Sequence, residues 1–392
     1  MSQIQRSNRT HIAIFGRRNV GKSSLVNVLA GQAVSIVSDV AGTTTDVVWK
    51  NMELPGIGAA VIGDTAGYDD CGELGTMRVE STKKVLQRID LALFLLHADS
   101  LDCELEKEWI AMFEKSGVPV ILLLGRCDTH NNVAEWKTVL NRDIIAFSAF
   151  TGEGKEELLS AMATALHEKS DSNDVTSGLV SAGDVVVLVM PQDSQAPKGR
   201  LIQPQVQTLR NLLDKHAIPL CCAPEELPAL LASLKSDPSL IITDSQVFAL
   251  VEKLKPESTR LTSFSVLMAR QKGDIDIFRK GAEALMKLPG DARILIAEAC
   301  SHIPQNEDIG RVKLPRMLRN KFGEGLSVTI VSGNDFPDDL SGFDLVIHCG
   351  ACMFTKRHVM SRVRQAVEQN VPITNYGIAI AVLTGIMDKV VY

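Results

Sequence analysis

Long apolar runs are absent from this chain of 392 residues. No stretch approaches the roughly 18 residues that a membrane span needs. The longest, Leu91–Leu96 and Val118–Leu124, read as buried strands. Met1 to Thr10 is polar and lacks the apolar core of a signal sequence, so a cytoplasmic location is expected. Cysteine is scarce: the chain has 8, too few to form a disulfide scaffold over this length. In a reducing compartment, clustered ones point to metal or redox chemistry. Positive charge is not in excess either. Lys and Arg total 41 against 47 Asp and Glu, a net charge of −6. That argues against a protein that coats nucleic acid, and no nucleic-acid or membrane partner is expected. Short internal repeats and low-complexity tracts are also missing.

What remains is an ordinary globular composition, 45% hydrophobic and 22% charged. The length predicts two or three domains, each able to bury a core. From 11 to about 167, apolar runs alternate with helical patterns. The runs are His11–Phe15, Ala59–Gly63, Leu91–Leu96, Val118–Leu124 and Ile144–Phe147, and Lys22–Ala30 opens a helix. This pattern predicts a doubly wound α/β domain over 1–168. Residues 169–184 are rich in Ser, Asp and Gly and read as a linker. A second α/β domain is expected over 185–260, with strands at Val185–Met190 and Leu240–Ile242 and helices at 203–216, 225–235 and 245–254. Its apolar, helix-rich character suits a subunit interface. A third α/β domain is expected over 261–392, with strands at Phe264–Met268, Arg293–Ala297, Val328–Val331, Phe343–His348 and Pro372–Thr374. The basic residues Lys313, Arg316, Arg319 and Lys321 read as a solvated helix face.

Gly16-Arg17-Arg18-Asn19-Val20-Gly21-Lys22-Ser23 has the spacing G-x-x-x-x-G-K-S between a strand and a helix. Backbone N–H groups from Val20 to Ser24 can wrap a phosphate there, helped by the helix N-terminus. Lys22 would reach the outer phosphates and Ser23 would ligate magnesium. Asp64-Thr65-Ala66-Gly67 follows about 40 residues later, a spacing that suits a P-loop protein. Asp64 can hold the magnesium through water, and the Gly67 N–H can meet a γ-phosphate. Gly42-Thr43-Thr44-Thr45-Asp46 lies between. A threonine there completes magnesium coordination only while the γ-phosphate is bound, which makes residues 38–48 a switch.

These motifs resemble the translation-factor-related GTPases. Asn19 and the Gly-Thr-Thr-Thr-Asp switch are similar to the potassium-activated subgroup that includes the tRNA-modifying GTPase MnmE. The resemblance implies that Asn19 binds K+ and that Thr44 is the Mg2+ ligand. It also implies slow, cation-accelerated GTP hydrolysis, because Tyr68 follows Gly67 where other GTPases carry a catalytic glutamine. The guanine-reading N-K-x-D motif is altered to Gly125-Arg126-Cys127-Asp128. Asp128 can still accept two hydrogen bonds from guanine, Arg126 could stack over the base, and Ser148-Ala149 matches the last base-contacting motif. Weakened affinity with surviving guanine preference is expected.

Cys71, Cys103, Cys127, Cys221 and Cys222 read as incidental or packing residues. Cys300, Cys349 and Cys352 differ. Cys300 and Cys349 fall just past two predicted strands, in Cys-Ser-His and His-Cys-Gly-Ala-Cys. If those strands share a parallel sheet, their tips lie on one edge, where such folds build sites. Three thiolates suit a zinc site completed by His302 or His348, or a four-iron cluster with one open iron.

A P-loop GTPase domain followed by this C-terminal pattern resembles the HydF family of FeFe-hydrogenase maturation GTPases along essentially the whole chain. Asp64 to Asp70 and Gly72-Glu73-Leu74-Gly75 add to the likeness. The resemblance implies a dimerisation domain at 185–260 and a 4Fe-4S cluster on Cys300, Cys349 and Cys352, with His302 or His348 as a possible fourth ligand. It further implies a homodimeric scaffold that receives a two-iron precursor from radical-SAM maturases and delivers it to apo-FeFe-hydrogenase. Two other readings stand beside it. One is an RNA-modification or ribosome-assembly GTPase with a structural zinc site. The other is an assembly scaffold whose G domain has lost catalysis, against which the intact Lys22, Ser23, Thr44 and Asp64 argue.

Overall fold

The computed structural model describes residues 9–31, 47–69, 82–98, 101, 103–167, 174–192, 201–299, 309–333, 335–351 and 354–392. The chain divides into two units, 1–171 and 172–392.

The first unit holds strands β1 (Thr10–Gly16), β2 (Val48–Leu54), β3 (Gly58–Asp64), β4 (Leu91–Leu96), β5 (Val120–Leu124) and β6 (Ile144–Ala146) in the order β2-β3-β1-β4-β5-β6. All neighbours run parallel except the β2–β3 pair. Among the described residues its helices include α1 (Lys22–Ala30), α2 (Glu104–Lys115), α3 (Val133–Leu140) and α4 (Lys155–His167). Every residue of β4 is buried, as expected where both sheet faces are covered. Trp109 and Phe113 of α2 pack on Phe15 of β1, and Phe113 also meets Phe94 of β4. Burying one such side chain is worth about 2 kcal/mol. The chain crosses from one side of β1 to the other between β3 and β4. The phosphate-loop motif leaves β1 at that switch point, where open α/β sheets build ligand sites.

The second unit contains two parallel four-stranded sheets. One has the order β10-β9-β7-β8, from β7 (Val185–Val189), β8 (Ile218–Cys222), β9 (Leu240–Thr243) and β10 (Arg260–Ser263). Helices α5 (Gln203–Asp214), α6 (Leu227–Ser233), α7 (Phe248–Leu254) and α8 (Phe264–Lys272) accompany it. The other sheet has the order β12-β11-β13-β14, from β11 (Arg293–Glu298), β12 (Ser327–Ser332), β13 (Leu345–His348) and β14 (Ile373–Asn375). Its helices are α9 (Ile275–Leu285), α10 (Leu314–Phe322), α11 (Lys356–Glu368) and α12 (Tyr376–Leu383). One continuous core runs from Val187 and Ile241 of the first sheet to Ile296 and Ile347 of the second.

The structure corrects one expected strand. Phe264–Met268 forms the first turns of α8, capped by the Ser263 hydroxyl, which accepts from the Val266 N–H. Phe264, Val266, Leu267, Met268 and Ala269 are all buried. An apolar run that is buried all round has no period to distinguish helix from strand. The strand here is the preceding β10, which belongs to the sheet of β7 and β9. Within the stretch read as linker, Val175, Leu179 and Val180 enter a core with Leu188 and Phe264.

Candidate functional site

The nucleotide motifs converge at the C-terminal edge of the first sheet. Gly16 takes φ +155°, and a Cβ there would lie 2.7 Å from Val20 Cγ1 and 2.9 Å from the Leu95 carbonyl oxygen. Only glycine fits. The loop then turns through Asn19 in the left-handed region (φ 60°) and reaches α1 at Gly21. Lys22 is buried, and its Nζ donates to the carbonyls of Gly16 (3.0 Å) and Arg17 (2.8 Å). The ammonium therefore lies inside the curl of the loop, where a phosphate can replace the carbonyls. Ser23 Oγ donates to Asp64 Oδ2 at 2.6 Å, so the two expected magnesium partners share one point. Gly67 faces the loop closely: a Cβ would come within 2.8 Å of the Arg18 nitrogen. Asp69 holds this approach by accepting the Arg18 N–H at 2.7 Å. Thr44 and most of switch 38–48 lie outside the described residues.

Beside the loop, Val20, Gly21, Ser24, Arg126, Asp128 and Ala149 line a cavity of 740 Å3. Asp128 and Ala149 thus face the same space from the loops after β5 and β6. Ser148 is fully buried, and its Oγ accepts from the Phe150 and Thr151 N–H groups, so it shapes the loop. Arg126 does more than the sequence suggested. It sits at φ 58° and donates to the Asn19 carbonyl at 3.1 Å, which ties the base loop to the phosphate loop.

Sequence reasoning missed a buried carboxylate behind the site. Glu106 of α2 is fully buried and accepts from Arg17 Nε (2.7 Å), from the same guanidinium's terminal nitrogen (3.0 Å) and from the Tyr68 hydroxyl (2.7 Å). The hydrogen bond to Glu106 raises the Arg17 pKa further above its ordinary value. Burial first, and the Glu106 carboxylate second, push the Tyr68 phenol well up, so it stays protonated. Tyr68 stacks on Phe94 (5.5 Å) and packs against Trp109. Its hydroxyl is committed to Glu106. A glutamate on an amphipathic helix carries no local signal that it will be buried.

In the second unit, β11 and β13 are parallel neighbours, with Ala297 opposite His348. They lie at that sheet's own switch point. Cys349 follows β13 directly. Its Sγ accepts from the Ala299 N–H at 3.0 Å and the Ala351 N–H at 3.4 Å. Ala299 is the residue before Cys300. Two backbone donors on one sulfur stabilise a thiolate, which suits a metal ligand. Ala351 adopts φ 51°, a left-handed turn that aims its N–H back at the sulfur. Cys300, His302 and Cys352 lie outside the described residues, and among the described residues no three His, Cys, Asp or Glu side chains converge as a metal site. His348, expected as a possible ligand, is fully buried, with Nδ1 on the Cys349 carbonyl (2.8 Å) and Nε2 on the Arg362 guanidinium (3.2 Å). A carbonyl only accepts and a guanidinium only donates, so Nδ1 carries the proton and Nε2 is the acceptor. Burial and the neighbouring Arg362 lower its pKa to about 3. Both ring nitrogens are engaged within the core, which is not the geometry of a ligand.

Three family models match the chain. Residues 11–126 match the 50S ribosome-binding GTPase model, 175–273 the hydrogen maturase F dimerization domain and 276–392 the hydrogen maturase F tetramerization domain. Solved structures similar to the chain include the FeoB G-domain of Methanococcus jannaschii, at 22% identity over 41% of this chain and 98% of that one, TM-score 0.32. The G domain of the T. maritima FeoB iron transporter matches at 21% over 40% and 99%, TM-score 0.31. Era of Aquifex aeolicus bound to GDP.AlF4- matches at 18% over 62% and 97%, TM-score 0.33. The first unit is a P-loop GTPase domain, and no helix among the described residues is long and apolar enough to cross a membrane. The matches to the two maturase domains do not favour the ribosome-assembly alternative. With both of those domains following a GTPase domain, the chain belongs to the hydrogen maturase F (HydF) family of FeFe-hydrogenase maturation GTPases.

Proposed function

We propose that this protein is a GTP-hydrolysing carrier that binds a 4Fe-4S cluster in its last domain and uses it to hold and deliver the two-iron precursor of the FeFe-hydrogenase active site. The N–H groups of Ala299 and Ala351 on Cys349 Sγ carry this reading. They prepare a thiolate at the tips of two adjacent parallel strands; the donor Ala299 directly precedes Cys300, and Cys349 lies three positions before Cys352. Their donor set fits an iron–sulfur ligand. The reading takes Cys300, Cys349 and Cys352 as the ligands and His302 as the histidine left for a fourth position. When bound, such a cluster supplies one iron with an exchangeable position, to which the two-iron cargo can attach. The precursor comes from radical-SAM maturases and passes to apo-hydrogenase, with this protein acting as a homodimer in the cytoplasm.

In the first domain, Ser23, Thr44 and Asp64 hold Mg2+, Lys22 and the loop amides hold the phosphates, and Asp128 reads guanine. Asn19 takes K+, whose charge replaces an arginine finger. The commitment of Tyr68 to Glu106 supports slow, cation-accelerated turnover. Hydrolysis resets the contacts of residues 38–48 and of the segment after Gly67 with partners.

Metal analysis of anaerobically purified protein tests the carrier reading. Iron with acid-labile sulfide supports it, whereas one zinc per chain and no sulfide overturns it. The switch role predicts that partner release is faster with GTP than with a non-hydrolysable analogue. Equal rates remove that role.

A further inference from the structure

The segment after β13 is held by a lysine outside its own sheet. Lys272 is the last residue of α8, the helix that follows β10. Its side chain is buried at 5% exposure, yet its Nζ donates to the Ala351 carbonyl at 2.9 Å and to the Phe354 carbonyl at 2.8 Å. Those carbonyls stand on either side of Cys352 and Met353. One ammonium therefore binds both Ala351 and Phe354, three positions apart in sequence.

A second grip comes from the same helix. Ser265 of α8 donates to Asn375 Oδ1 at 3.1 Å, and Asn375 Nδ2 donates to the carbonyls of His348 (3.3 Å) and Cys349 (3.2 Å). The left-handed Ala351 is thus held at its carbonyl by Lys272 while its N–H meets Cys349 Sγ at 3.4 Å. A non-glycine residue holds this conformation only where its surroundings impose it.

Charge adds to geometry. Burying an ammonium is costly unless its donors are satisfied. A methionine would fill the same volume without that cost, but it could not hold two carbonyls. The Lys272 ammonium is bonded to the carbonyl of Ala351, whose own N–H meets Cys349 Sγ, and a buried positive charge acts through a low dielectric, which favours the more negative form of a group bound there.

We propose that Lys272 is a positioning residue for the iron–sulfur site. It holds the Ala351 and Phe354 carbonyls beside the Cys349 turn and raises the reduction potential of the bound cluster. The proposal rests on the cluster reading above. Outer-shell partners of this kind are worth about 10–100-fold in metal affinity, and charge and hydrogen bonds around the sulfurs set cluster potentials.

The test uses the full chain, reconstituted anaerobically with iron and sulfide, as wild type, Lys272→Met, Lys272→Gln, Lys272→Arg and Cys349→Ala. Iron and sulfide content, iron loss to excess chelator and the midpoint potential are measured. Lys272→Met is expected to lose iron about 10–100-fold faster than wild type, with a more negative potential, and Lys272→Arg to restore both towards wild type. A merely structural lysine would leave the potential unmoved. Wild-type iron loss and potential in Lys272→Met overturn the proposal and leave the cluster reading standing. If Lys272→Met does not fold, Lys272→Gln decides through its potential, since its amide still donates but carries no charge; a wild-type potential there overturns the proposal. A wild type that takes up no iron, or a Cys349→Ala that keeps the cluster, overturns the cluster reading and this proposal with it.

Discussion

Glu106→Ala is the most informative single change in the GTPase domain. It removes one buried acceptor that serves the phosphate loop through Arg17 and the DTAG segment through Tyr68. Breaking a buried ion pair from one side costs about 3–5 kcal/mol. The Arg17 side chain keeps 19% exposure and can turn partly to water, so the low end, about 3 kcal/mol, applies. At 1.4 kcal/mol per factor of ten, that is roughly a 100-fold rise in the opening of the domain core. The assay is native-state amide exchange at β4, whose six residues are all buried. Exchange through global opening reports the domain's own stability in the intact chain. Tyr68→Phe removes one neutral donor and should cost about 1 kcal/mol, roughly fivefold. In the Glu106→Ala background that second change should add almost nothing, because its partner is already gone. A Glu106→Ala protein whose β4 amides exchange within twofold of wild type would refute the reasoning.

Other outcomes follow from the same geometry. Asp64→Asn, which weakens the magnesium point shared with Ser23, should cut GTP hydrolysis about 100-fold or more, read as phosphate release. Arg126→Ala loses the bond to the Asn19 carbonyl. It should weaken GTP binding about tenfold by titration calorimetry, since hydrogen bonds from charged groups are worth about 1.5–3 kcal/mol. Gly67→Ala would press a methyl to 2.8 Å from the Arg18 nitrogen. Such overpacking costs about 1–3 kcal/mol, and turnover should fall about tenfold or more in a phosphate-release assay. Replacing K+ by Na+ should slow wild-type hydrolysis and leave Asn19→Ala, already slow, unchanged.

The parts of this molecule governed by local pattern were legible in the sequence. The phosphate loop stood between a strand and a helix, and the apolar runs at 91–96 and 144–147 fell on β4 and β6. Elements whose pattern is set by tertiary context were not. Strand β2 carries Lys50 and Asn51 on the sheet's edge. Strand β8 contains Pro219, which an edge strand tolerates and an interior strand does not. Helix α8 reads as a strand because it is buried all round. The site divides likewise. Ser23 and Asp64 were readable from motif spacing. Glu106, Lys272 and Asn375 act across 26 to 89 residues of sequence, and no short window contains both partners. Arg362 was likewise invisible. It sits in α11, donates to His348 and the Gly333 carbonyl, and lies over the rings of Phe336 and Phe354.

The central claim is that Cys300, Cys349 and Cys352 meet on one iron–sulfur cluster. Electron paramagnetic resonance of the reduced, anaerobically reconstituted protein tests it most directly, with wild type set against Cys→Ala at each position. The account predicts a four-iron cluster signal in wild type that is lost or converted to a lower-nuclearity signal in each variant. An unchanged signal in any of these variants would contradict it.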